Sequence, residues 1–144
     1  MEYILALILE KAKENEKVEN IKAEVRRVIR SSIDTRSKED IVIKYINNTD
    51  LKSLKTNNDI LESFYSFAKA EKIKSINALI VEENLNENAK RFIEKSISRG
   101  FAENNGDELD GIIPPTSRRK GAREKKKAEV LFKIQNLVDV FVGL

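Results

Sequence analysis

Apolar residues recur along this chain at spacings of three and four, the repeat of an α-helix that buries one side. The first run, Tyr3 to Leu9, passes directly into Glu10-Lys11-Ala12-Lys13 and predicts a buried helix over residues 2–14. It has no basic leader and no small-residue cleavage site, which argues against a signal peptide. A second helix is predicted over 18–33, with Val18, Ile21, Val25, Val28, Ile29 and Ile33 on one face and Lys22, Arg26 and Arg30 opposite. Ser37, with Asp40 three residues on, has the spacing of a capping box and predicts the start of a third helix. That helix carries Ile41, Val42, Tyr45 and Ile46 and ends near Asn47-Asn48-Thr49-Asp50. Beyond a loop over 51–58, Asn58 or Asp59 is the expected cap of a fourth helix reaching residue 83. Its stripe is Ile60, Leu61, Phe64, Phe67, Ala68, Ile76, Leu79 and Ile80. Asn86 is placed to cap a fifth, with Ala89, Phe92, Ile93 and Ile97 inward. Gly100 would end it, and Phe101 is positioned to pack back as in a Schellman cap.

Residues 102–122 break this rhythm. Asn104-Asn105-Gly106-Asp107 is a turn signal, and Ile113 precedes Pro114-Pro115, which cannot continue a helix. A short hairpin over 101–112 fits this stretch weakly. A last helix is expected over 123–142, basic in its first turns and then amphipathic through Val130, Leu131, Ile134, Leu137, Val138 and Phe141. No internal repeat is present and no heptad is sustained. The expected fold is mainly α: one compact domain of five or six helices over 1–144, with an irregular or short hairpin segment near 101–122. The first helix begins at Met1 with no capping residue before its apolar run, so the chain is expected to be cut from a longer parent.

Composition narrows the chemistry. Of 144 residues, 40% are hydrophobic and 35% charged, with only 5 Gly and 2 Pro, which suits a helical domain with a polar surface. There is no histidine and no cysteine, which removes the commonest general base, the thiol nucleophile, and Cys/His metal sites. No glycine loop of the phosphate-cradling kind is present. Glu82-Glu83 is the densest carboxylate pair at a helix end. Sequence neighbours do not face one another on a helix, so the pair is expected on a solvated face. Glu124-Lys125-Lys126 has the acid-x-Lys spacing of restriction nucleases but lacks the strands and the upstream metal-binding Asp. No catalytic residue, no metal ligand and no cofactor are assigned to this chain, and no apolar run approaches a membrane span.

Charge is where function enters. The net charge is +3. Residues 118–127 set Arg118, Arg119, Lys120, Arg123, Lys125, Lys126 and Lys127 against Glu124 alone, so this segment carries +6 and the remainder −3. Cations at a helix N-terminus oppose its dipole, so helix stability did not place them there. These seven are the candidate nucleic-acid or acidic-partner site, balanced evenly against a merely solvated run. Arg26, Arg27 and Arg30 extend it less convincingly, being interleaved with Glu24 and Asp34.

Several segments together resemble a known family. Ile29-Arg30-Ser31-Ser32-Ile33-Asp34-Thr35-Arg36-Ser37-Lys38-Glu39, Phe64-Tyr65-Ser66-Phe67-Ala68, Leu79-Ile80-Val81-Glu82-Glu83-Asn84-Leu85-Asn86-Glu87 and Arg91-Phe92-Ile93 occur in the same order as in the C-terminal helical region of the restriction subunit of type I restriction–modification enzymes. Gly106-Asp107-Glu108-Leu109, Ile113-Pro114-Pro115 and the lysine-rich terminal helix complete the set. The resemblance implies a large cytoplasmic parent, an ATP-dependent DNA translocase and endonuclease, whose nuclease and motor domains use ATP and magnesium elsewhere. It implies that the C-terminal domain docks the motor subunit on the methyltransferase and specificity subunits and helps to hold double-stranded DNA. The rival is a free-standing winged-helix-like DNA-binding module built on helices four and five plus a 101–112 hairpin. The mixed charge of Glu87, Lys90, Arg91, Glu94 and Lys95 disfavours it.

Overall fold

A computed structural model describes residues 1–99 and 120–144, with backbone alone for 120–123. The hairpin, the Gly100 terminus and the Phe101 cap expected from sequence lie outside the described residues. Those described are mainly α, in six α-helices and two 3-10 turns with no strand among them. They divide into two compact units, Met1–Lys69 and Ala70–Leu144, with the division inside the fourth helix.

In the first unit, α1 (Glu2–Lys13) packs on α2 (Val18–Arg30), and α2 on α3 (Glu39–Asn47). Ile4, Leu5, Ile8 and Leu9 of α1 are buried, as its run of apolar residues requires. Its end is a Schellman motif. Asn15 takes a positive φ of 57°, its N–H donates to Ala12 O, and Glu16 N–H donates to Lys11 O. The second helix stops three residues short of expectation. The Thr35 hydroxyl donates to Ile29 O at 2.8 Å and Arg36 Nε to Arg30 O at 3.1 Å, satisfying the last carbonyls from outside the helix. Ile33 is therefore 80% exposed and lies off the apolar face. Nor is Ser37 the N-cap: it sits within a 3-10 turn, Arg36–Lys38, and Lys38 holds the cap position of α3.

The capping box lies elsewhere. Thr56 Oγ1 accepts from Asp59 N–H, and Asp59 Oδ2 accepts from Thr56 N–H, each at 3.1 Å, with Lys55 N–H donating to the same oxygen at 3.2 Å. Asp59 is thus the third helical residue of α4 (Asn57–Glu82), and Thr56 is its cap. These backbone donors hold the Asp59 carboxyl below its usual range. Ile60, Phe64 and Ala68 of α4 are buried with Tyr45, whose ring meets Phe64 edge-on at 5.2 Å and Phe67 at 5.5 Å. Phe67 itself is half-buried.

The second unit contains the end of α4, α5 (Glu87–Arg99) and α6 (Lys120–Phe141), with α5 packed on α6. Ile76, Leu79, Leu85, Ala89, Ile93, Ile97, Val130, Ile134 and Val138 are buried. Asn84 repeats the Schellman geometry of Asn15, with φ 54° and Leu85 N–H donating to Ile80 O at 2.9 Å. Asn86 Oδ1 then accepts from Ala89 N–H at 3.2 Å, the N-cap expected for α5. The last helix begins at Lys120, three residues before the expected start. Gly121 and Ala122 fall in its first turn, where the backbone N–H groups have no intrahelical partner to lose.

Candidate functional site

The basic run is not one uniform surface. Arg118 and Arg119 lie outside the described residues. Lys120 and Arg123 fall on the first turns of α6, where only the backbone is described. Lys125 is exposed and Lys127 half-buried. Lys126 points the other way, on the side of α6 that carries Val130 and Ile134, and its Nζ lies 2.5 Å from Glu83 Oε2. Lys133, two turns on along the same side, pairs with Glu83 Oε1 and reaches Glu82 Oε1 at 2.9 Å.

Glu83 corrects the expected solvated pair. Its side chain is 1% exposed, whereas Glu82 retains 64%. Burial pushes the Glu83 carboxyl up, yet contacts with Lys126 and Lys133 outweigh it and leave the group below its usual range. The same contacts, with Glu82, raise Lys133 above the ordinary lysine range. A buried carboxylate is tolerable only when its lone pairs meet charged donors. Two lysines one heptad apart on α6 supply the countercharge at the point where α4 ends: Lys133 donates a hydrogen bond to Glu83 Oε1, and Lys126 forms an ion pair with Oε2, which accepts no hydrogen bond. Sequence reasoning missed this clamp because its partners are 50 residues apart along the chain. The i, i+7 spacing of Lys126 and Lys133 on the apolar side of a helix was the available signal.

The arginines of α2 are also engaged. Glu24 accepts from Arg27, while Glu39 accepts from Arg30 Nη2 at 2.8 Å and lies 3.7 Å from Arg26 Nε. Hydrogen bonds from Arg30 hold the Glu39 carboxyl down. Three arginines against two carboxylates leave this face one positive charge, so it adds little to a positive field.

Beside the clamp lies an apolar groove of about 400 Å³, lined by Ser75, Ala78, Leu79 and Glu82 of α4 and Lys133, Asn136, Leu137 and Val140 of α6. One turn from its lining stand two exposed apolar side chains: Val81 at 80% and Phe132 at 68%. Among the described residues no group of His, Cys, Asp or Glu could hold a metal ion, and no helix is long and apolar enough to cross a membrane.

The described residues form helices that carry a buried lysine–glutamate clamp, an exposed Lys125 and an open apolar groove. Residues 1–141 match the family described as type I restriction and modification enzyme, subunit R C terminal, and the chain belongs to that family. That family is the C-terminal domain of the R subunit of type I restriction enzymes.

Proposed function

We propose that this domain assembles the restriction subunit onto the methyltransferase–specificity core and contacts double-stranded DNA as it does so, without catalysis of its own. Family membership supports the setting, a type I restriction complex; a cytoplasmic location, and a nuclease and motor that use ATP and magnesium in other domains, are part of the proposal. The observation that carries the assembly role is the apolar groove between the end of α4 and α6, with Val81 and Phe132 exposed elsewhere on the same two helices. Exposed apolar side chains and concave apolar surfaces are features of protein interaction sites. The DNA role rests on the charge of the basic run, with Lys125 its exposed described member.

Val81→Asp and Phe132→Asp test the assembly role, since exposed positions tolerate the change without unfolding. Each is expected to weaken capture of the chain by purified methyltransferase–specificity core at least tenfold, the loss of about 1.4 kcal/mol typical of an interface anchor. Capture of both variants at wild-type strength would refute it.

A further inference from the structure

We propose that Glu83 is a built-in competitor for Lys126, an intramolecular carboxylate that withholds one lysine of the basic run from polyanions. The inference rests on the DNA-contacting part of the function proposed above. Its basis is an asymmetry of exposure. The Glu83 side chain is 1% exposed, whereas Lys126 and Lys133 keep 39% and 38% of theirs. Solvent, or a phosphate, can therefore approach the cations but not the anion. Water hardly screens a carboxylate in that position, so it holds a lysine more strongly than a phosphate at the surface can.

The clamp is also balanced. Glu82 and Glu83 face Lys126 and Lys133, and Lys133 is shared between both carboxylates. Neutralising Glu83 leaves Lys133 with Glu82 and releases one cation, Lys126, at the edge of a segment already rich in positive charge. Each cation that neutralises a phosphate on duplex DNA steepens the log–log salt dependence of binding by about 0.9. The contact thus lowers the number of phosphates that α6 can meet by one.

The experiment is a salt titration of duplex-DNA binding by the 144-residue chain, with wild type, Glu83→Gln, Lys126→Gln, the double variant, Lys125→Gln and Glu129→Gln. Helix content by circular dichroism is read alongside. Glu83→Gln is expected to steepen the slope by about 0.9 and to tighten binding at low salt. The double variant is expected to return to the wild-type slope. Lys126→Gln alone is expected to match wild type, whereas Lys125→Gln becomes shallower by about 0.9. Glu129→Gln, on the exposed side of α6, controls for net charge and is expected to change the slope by less than Glu83→Gln. The inference is overturned, with DNA contact intact, if wild type binds but Glu83→Gln has the same slope. It is equally overturned if Glu129→Gln matches Glu83→Gln, or if Lys126→Gln loses as much as Lys125→Gln. Should Glu83→Gln lose its helix content, the Lys126→Gln and Lys125→Gln comparison still decides. If neither wild type nor Glu83→Gln binds duplex at low salt, DNA contact and the inference fall together.

Discussion

Tyr45 gathers the aromatic contacts of the first unit. Its ring is enclosed by Phe64 and Phe67, and its hydroxyl donates to Ser63 Oγ at 2.8 Å. Burial raises the pKa of that hydroxyl above its ordinary value. Phe64 is fully buried, so Phe64→Ala is expected to cost about 3–5 kcal/mol in urea unfolding, through lost burial and the cavity it leaves. The helical spacing predicts Phe67 to be equally buried. It is half-buried, and its truncation should cost clearly less than that of Phe64. Equal losses at the two positions would show that this cluster is packed differently in solution. The apolar stripe of α4 is legible from its spacing. The depth of each residue within it is not, because depth depends on where α3 lies.

At the scale of the helix, the terminal residues carry the most local information. Asn15 and Asn84 occupy left-handed conformations that asparagine accepts better than most residues. Asn84→Ala is therefore expected to destabilise by about 1 kcal/mol, whereas Asn84→Gly should be close to neutral, both read from urea midpoints. A neutral alanine variant would contradict the observed backbone. Thr56→Ala removes the acceptor of the Asp59 N–H and is expected to cost about 1 kcal/mol. The Thr-x-x-Asp spacing is in plain view in the sequence, yet composition alone points to Asn58 or Asp59 as the cap itself. At Ser37 the same spacing misleads, because a 3-10 turn intervenes before α3. Helix ends are settled by competition among neighbouring donors and acceptors, and several nearby residues satisfy the same pattern.

These carboxylates also set the acid limit of the fold. Asp59, Glu39 and Glu83 all sit below their ordinary values in the folded chain, so the folded state binds fewer protons than the unfolded one. Their stabilisation is present above the ordinary carboxylate range, near pH ~4, and is lost as pH falls through the lowered folded values. The melting temperature is expected to be flat from neutrality to about pH 5 and to drop below about pH 4. For Glu83→Gln the drop should be smaller, since one of these titrations is gone. An identical acid profile for wild type and variant would mean that Glu83 is not held as described.

Across the whole molecule, the mainly helical character and the family follow from sequence. Periodicity of apolar residues places every described helix within about three residues of its observed ends, since hydrophobic spacing is a local property that survives without knowledge of the partners. A far-UV circular dichroism spectrum dominated by helix is the corresponding expectation. The purified chain, with magnesium, is expected neither to hydrolyse ATP nor to cleave DNA, and turnover that disappears on Glu124→Gln would overturn this. The charge run at 118–127 is equally visible, because a count of cations needs no fold. What the count cannot contain is which cations remain available. Lys125 and Lys126 are adjacent and chemically identical in sequence. One faces solvent and the other a buried carboxylate, because a helix turns about 100° per residue and only tertiary packing brings Glu83 to one side of it. The groove beside them has the same origin. Its walls come from α4 and α6, and no segment of sequence contains both.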